Sequence, residues 1–423
     1  MNKNIKLAVA GAVFAVASAA NAGIVIPAGE WTLDVGGNVN AYTQFFKSNG
    51  GVAIDSVTDG HNVGAGRNTQ NNFGNGLLPN FLSFSGSTRQ NDLDVGFTIS
   101  LQPGGATSTA VGLGTGINTR QSFITFGDKS WGSIKMGKDL GIFSSDAILS
   151  DMTLLGVGAA GLGGNTSLGR IGYGYTYADW KPQFAYTTPN FSGLQATVGI
   201  TQNFAVRTTV NTGTGALSEQ TTAEANASPA YEGKLSYAFS GNDVSGKVWT
   251  SGIAQKTAGF TFAGIARQNN DTVAYAGDIG ANLNMAGFGL TGYYYNGSGI
   301  GHEGQGWDGY GISAAAGNAI SARDTDGGYV QLTYVLPTKT KLGASWGVSN
   351  LDMADGELAL AAAGGVGRVA TLVKENQMTT VGIYHPLTKH LNLVAEYSHI
   401  SSENQIGGKN NANSGNLGAI LFF

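Results

Sequence analysis

No cysteine occurs among the 423 residues, and only 8 are proline. The first absence excludes a disulfide framework and any thiolate-ligated metal. Charge is also scarce: Asp, Glu, Lys and Arg make up 12% of the chain, about half the usual ~25% share. Low charge beside 42% hydrophobic residues excludes a disordered chain, which combines much charge with little apolar content. A mean hydropathy of −0.03 argues against a bundle of membrane-crossing helices. The two long uncharged runs are poor helices. Met152–Gly169 holds six Gly, and Pro182–Val206 is broken by the turn signal Pro189-Asn190-Phe191-Ser192-Gly193. Glycine itself is abundant, at 67 residues, but without a three-residue period it does not read as collagen.

The N-terminus reads as an export signal. Lys3 and Lys6 form a basic start, Leu7–Ala20 is small and apolar, and Ala20-Asn21-Ala22 fits a cleavage site before Gly23. The apolar run is shorter than the ~20 residues of a spanning helix. The expected organisation is a cleaved signal peptide, 1–22, and one domain, 23–423. Removing 22 residues from 423 takes away two of the 23 basic residues, leaving 21 against 27 acidic and a formal charge of −6. That balance gives no footprint for nucleic acid.

The rest of the chain alternates. Leu93, Val95, Phe97, Ile99 and Leu101 interleave with Asp94, Gly96, Thr98, Ser100 and Gln102. The same period of two recurs around Leu235, Ile279, Leu342 and Leu391. A soluble sandwich alternates too, but three features favour membrane strands. The segments run about ten residues, the length of a tilted strand crossing a bilayer. Aromatic residues such as Trp31, Phe81, Trp180, Tyr295 and Phe423 sit near strand ends, as in interfacial girdles. Tight turns such as Gln90-Asn91-Asp92 alternate with long Gly- and Asn-rich loops. The fold class is therefore all-β: a closed antiparallel transmembrane barrel of about 16 strands, running from 31–45 to 413–423. Segments 170–180 and 256–271 leave 18 strands open. Short turns are expected on the periplasmic side and long loops outside.

With these motifs in view, the chain resembles the Gram-negative general porins, trimeric diffusion channels of the outer membrane. The hairpin from Phe81-Leu82-Ser83-Phe84 to Gln102 resembles that family's second and third strands. Arg120-Gln121-Ser122-Phe123 with Trp131-Gly132-Ser133-Ile134-Lys135-Met136-Gly137-Lys138 resembles the strands leading into its pore-folded loop. Tyr186-Thr187-Thr188-Pro189-Asn190-Phe191-Ser192-Gly193 resembles a further family hairpin, and Leu421-Phe422-Phe423 its C-terminal assembly signal. The resemblance implies a homotrimer, contact with membrane lipids and lipopolysaccharide, and insertion by the barrel-assembly machinery through Phe423. It implies no cofactor and no resident metal. It also implies that the third long loop, about 139–170, folds into the lumen. Here that loop departs from the family in its uncharged Gly156–Gly169 stretch.

On that reading the pore constriction sets Asp139, Asp146 and Asp151 of the loop against a basic wall of Lys135, with Arg89, Arg120 and Arg170 as further candidates. Strand parity turns Asp34, Asp94, Glu232, Lys234, Lys247, Asp278, Lys341 and Glu396 toward the lumen, because charge facing lipid is costly. The expected function is passive passage of ions and small hydrophilic solutes. Mild cation preference is expected from the net charge. A substrate-specific channel is the alternative, with the run Tyr293-Tyr294-Tyr295 assigned mainly to a girdle. A barrel enzyme is the remote rival: the five histidines, His61, His302, His385, His390 and His399, belong to no nucleophile motif. Asp324-Thr325-Asp326-Gly327 has the opening rhythm of a calcium loop without its Glu and reads as a plain turn.

Overall fold

The computed structural model describes residues 23–49, 51–52, 54, 69–104, 117–159, 166–211, 217–222, 228–241, 243–257, 272–313, 319–357 and 371–423. The expected signal segment lies outside them. Sixteen strands form the wall. They are β1 (Trp31–Ser48), β2 (Phe81–Gln90), β3 (Leu93–Pro103), β4 (Ser122–Asp128), β5 (Gly132–Leu140) and β6 (Trp180–Thr187). Next come β7 (Leu194–Thr201), β8 (Ala230–Ser240), β9 (Val244–Thr257), β10 (Thr272–Met285) and β11 (Phe288–Ser298). The last five are β12 (Asp324–Val335), β13 (Lys341–Leu351), β14 (Val373–Pro386), β15 (Leu391–Asn404) and β16 (Lys409–Phe422). Each pairs antiparallel with its sequence neighbours.

The sheet closes where β1 meets β16, in a register from Asn38↔Phe422 to Ser48↔Ala412. Phe423 finishes the seam: its N–H donates to Gly37 O (3.1 Å) and its carbonyl accepts from Gly37 N (2.8 Å). The count is sixteen and not eighteen. β9 and β10 pair directly, Val244↔Met285 through Thr257↔Thr272, so no wall strand fits between them. Residues 258–271 themselves lie outside the described residues. Of residues 170–180, all but Trp180, which opens β6, form turns and isolated bridges, such as Ile171↔Tyr175, because they run inside the barrel and not along its wall. Asp324–Gly327 opens β12 and is strand, not turn, since it pairs with Ser298 and its neighbours on β11.

Lipid outside and water within select the two faces. Ile279, Leu332, Val381, Ile383 and Leu417 stand exposed on the outer face. Asn38, Asn40, Gln44, Ser100, Thr291 and Ser414 are buried on the inner face.

One stretch leaves the wall. A strand at Thr69–Gly74 pairs with the upper part of β1, and β2 pairs with the lower part. The intervening residues 75–80 loop inward. Asn40 holds them: its Oδ1 accepts from Gly76 N (2.9 Å) and its Nδ2 donates to Leu78 O (2.8 Å). Asn38 Nδ2 donates to Pro79 O (3.0 Å). This excursion is why β2 starts at Phe81 and not at the expected 78.

Ile279 is 63% exposed near the middle of β10. Ile279→Lys should destabilise the folded barrel by roughly 2–4 kcal/mol. Urea titration of refolding into liposomes reads this directly.

Candidate functional site in the barrel lumen

β5 ends at Leu140 and β6 begins at Trp180, so the inner loop starts at 141 and not at 139, and its described residues, 141–159 and 166–179, run past the expected end at 170. It carries a one-and-a-half-turn helix α1 (Ser145–Ser150) and a 3-10 turn at Met152–Leu155. A loop inside the barrel must find partners for its backbone groups or lose their hydration unrepaid. The wall supplies them along its length.

At the loop's start, Glu232 Oε2 on β8 accepts from the backbone N–H of Ile142 (2.7 Å) and Phe143 (2.8 Å). Its Oε1 accepts from Lys181 Nζ (2.5 Å) and Thr201 Oγ1 (2.8 Å). In the middle, Tyr329 on β12 donates to Ala147 O (2.8 Å). Gln331 accepts from Met152 N (2.6 Å) and donates to Ser150 O (3.0 Å). Tyr42 on β1 donates to Leu155 O (2.8 Å). At the far end, Glu396 Oε2 on β15 accepts from Val157 N (2.7 Å) and Gly158 N (2.9 Å), while Tyr384 donates to its Oε1 (2.6 Å). A Cβ on Gly156 would lie 2.0 Å from Glu396 Oε1. Gly156 is thus the residue that lets this backbone press against a carboxylate.

The sequence-predicted residues are distributed as follows. Asp146, on α1, is buried between two lysines: Lys234 Nζ lies 3.0 Å from its Oδ2, and Lys247 bonds its Oδ1. Burial pushes this carboxyl up, but Lys234 and Lys247 outweigh it and hold the net value below the ordinary carboxylate range. Asp151 turns into its own loop, accepting from Thr153 N (2.9 Å), Thr153 Oγ1 (2.6 Å) and Tyr175 OH (3.0 Å). It caps a turn, and the wall cation within its electrostatic reach is Lys341 of β13 and not Lys135. Asp139 belongs to β5 and not to the loop. The strand continues through it to Leu140, paired with Lys181 and Trp180. There it bonds Lys135, four residues earlier on the same face, and accepts from Gln121 Nε2 (3.0 Å). The expected loop acid and wall base are therefore neighbours on one strand.

Arg89 is at the turn-side rim, 2.9 Å from both Asp94 and Asp128, far along the strand from the loop. Arg170 is 0% exposed. It is a strut in the loop's return, donating to Met378 O (3.0 Å) and Ser345 and stacking at 5.9 Å on Tyr329. Arg120 lies over Trp180, 5.7 Å from the ring centre. Lys341 is over Tyr384 at 4.7 Å. Asp278 is buried on β10, accepting from Ser251 N (2.6 Å), Ser251 Oγ (2.7 Å) and Tyr293 OH (3.1 Å). Asp34 packs beside Gly23, where a Cβ would sit 2.6 Å from its Oδ1. Tyr293 and Tyr295 are buried and inward, and only Tyr294 faces outward, so the tyrosine run is mainly interior and not girdle.

Sequence reasoning missed the neutral anchors Tyr42, Gln331, Tyr329 and Tyr384, and the cation Lys181. Parity puts all of them on the inner face. Nothing in sequence pairs a given wall residue with a given loop amide.

A second loop covers the first. Tyr177 N donates to Glu303 O (2.6 Å), Thr176 Oγ1 donates to the same carbonyl (3.0 Å), and Lys181 Nζ reaches Gln305 Oε1 (2.6 Å). Arg323 and Glu357 form a buried pair at the base of this loop. His302 is sealed beneath it, its imidazole pushed down to about 3 by burial and by Arg323. Between the inner loop, the 75–80 excursion and the wall of β3–β6 lies a cavity of about 200 Å³.

A closed sixteen-stranded sheet, apolar outside, polar within and narrowed by a loop pinned to its inner wall, defines an outer-membrane diffusion channel. A family model described as Gram-negative porin matches residues 7–405, and the chain belongs to that family. No curated protein sequence matches the chain significantly. Among solved structures it is similar to DcaP, an outer membrane channel of Acinetobacter baumannii, with a TM-score of 0.67 and 16% identity over 95% of this chain and 100% of that one. OmpF of Salmonella typhi gives 0.56 and 13%, covering 95% and 100%. OprB of Pseudomonas putida gives 0.56 and 12%, covering 92% and 94%. At these identities the likeness speaks for the fold. Family and fold place the chain in the outer membrane of a Gram-negative bacterium.

Two outcomes follow. Gly156→Ala drives a methyl into the Glu396 carboxylate and should cost about 1–3 kcal/mol, the usual range for overpacking, read by thermal unfolding in detergent. Asp146 is held below its unfolded value of ~3.9. Its pairing therefore stabilises the loop above that pH and is lost as pH falls through the lower folded value. Open-channel current noise should stay flat down to about pH 4 and rise below it. Asp146→Asn should be noisy throughout.

Proposed function

We propose that this porin passes ions and small hydrophilic solutes down their gradients through a lumen narrowed by residues 141–179. The observation carrying this reading is the set of wall groups, from Glu232 to Glu396, that hold the loop's backbone within the barrel. A pore selects by its width and its lining charges. Along this loop acids and bases nearly balance: Asp139 pairs with Lys135 and Glu232 with Lys181, while Asp146 sits between Lys234 and Lys247, which leaves one lysine in excess. Weak ion selectivity follows, in place of the cation preference expected from net charge alone.

The assembly is proposed to be a homotrimer, as the family resemblance implies, exported with loss of residues 1–22 and inserted by the barrel-assembly machinery through Phe423, with lipopolysaccharide around the loops. An enzyme reading has little support. His302 is sealed, His385 bonds Thr340 Oγ1 (2.9 Å), and His399 bonds Asn413 Oδ1 (2.9 Å).

The test is electrophysiology of the purified protein in a planar bilayer. Current should rise in uniform steps, and a potassium chloride gradient should give a reversal potential near zero. Absence of steps would sink the channel reading. A reversal potential close to either ion's Nernst limit would sink weak selectivity.

A further inference from the structure

Among the described residues, the lumen holds an apolar-lined cavity. The cavity of about 200 Å³ is bordered by Leu149 and Leu154 of the inner loop, Leu77 and Leu78 of the excursion, and the indoles of Trp180 and Trp307. We infer that it is a binding subsite for an apolar group of about the size of a benzene ring, carried by a passing solute with a neutral, oxygen-rich polar head. This rests on the channel reading and names the class of solute the channel favours.

Size comes first. Leucine-lined space is ordinarily filled by close packing. An apolar cavity of ~150 Å³ stays dry and takes up benzene. The present one is of that order and lies between the inner loop and the barrel wall.

Its persistence is built in. The segments around it are tied by backbone bonds that leave no slack for collapse. Leu77 N donates to Gly156 O (2.8 Å), Ser167 N to Gly76 O (2.9 Å), and Tyr177 N to Glu303 O (2.6 Å). Polar tethers thus hold apolar walls apart, the reverse of a core that shrinks around its own side chains.

The head follows from the polar groups at the border. Gln121 spends its Nε2 on Asp139 (3.0 Å), and Gln102 accepts from Arg120 N (2.9 Å). The Arg120 guanidinium, placed over Trp180, makes no hydrogen bond or ion pair among the described residues. It presents donors to an oxygen acceptor. Glu303 also borders the cavity and carries the opposite charge. Together they favour a head that is neutral overall over an anion or a cation.

The experiment compares two neutral solutes with the same head, phenyl β-glucoside and methyl β-glucoside, on the reconstituted wild-type channel. Phenyl β-glucoside should reduce current saturably, with a half-blocking concentration about tenfold or more below that of the methyl compound, the factor that burial of one ring supplies. Leu149→Asn and Leu168→Asn, both at partly buried border positions, should bring the two solutes together while stepwise conductance remains. Heat-modifiable mobility on gels verifies that each variant is folded, and one folded variant suffices. Equal block by both solutes in the wild type overturns the inference. So does discrimination that survives in a folded variant. Either result leaves the channel itself standing, because stepwise current without solute is read first in every experiment.

Discussion

Everything in this molecule depends on backbone hydrogen bonds that hydrocarbon will not replace. An unpaired N–H or C=O facing lipid costs several kcal/mol, so the sheet has to end on itself. The Asn38–Ser48 edge of β1 and the Ala412–Phe422 edge of β16 meet that demand, and Phe423 and Gly37 exchange the last two bonds. Once the wall is closed, each residue's parity decides its solvent, and the inner face becomes a scaffold on which charge and amide can be spent freely.

The interior obeys the same rule under different terms. Residues 141–159 and 166–179 leave the wall and must satisfy their backbone elsewhere. Two buried carboxylates at opposite sides of the barrel, Glu232 and Glu396, each receive two adjacent loop amides. Charge-assisted bonds of this kind are roughly twice as strong as neutral ones. The wall acids are therefore fasteners first. The loop acids are likewise satisfied: Asp146 by two lysines, Asp151 by its own turn.

The wall was legible because a period of two is imposed by lipid on one side and water on the other. Leu93–Gln102 and Leu391–Ser398 announce their strands without any knowledge of neighbours. The lumen was legible only in part. That Lys234, Lys247 and Glu232 face inward follows from parity. That the first two hold Asp146 and the third holds Ile142 does not, since those pairings join residues about ninety or more positions apart. Asp139 was misassigned by two residues of strand: the wall runs to Leu140, and the charge stays beside Lys135. Arg170 was misread because a charged side chain is usually at a surface, while here carbonyl and hydroxyl oxygens of β13 and β14 and a tyrosine face enclose it. The excursion at 75–80 had no periodic signature, only the polar pair Asn38 and Asn40 that holds it.

The interlocking of three inward segments has an evolutionary corollary. Because Leu77 bonds Gly156, Ser167 bonds Gly76 and Tyr177 bonds Glu303, bore diameter is not a trait that one loop can alter alone. Lengthening the inner loop would unseat the excursion on one flank and the covering loop on the other. Drift in pore width must proceed through concerted substitutions in all three.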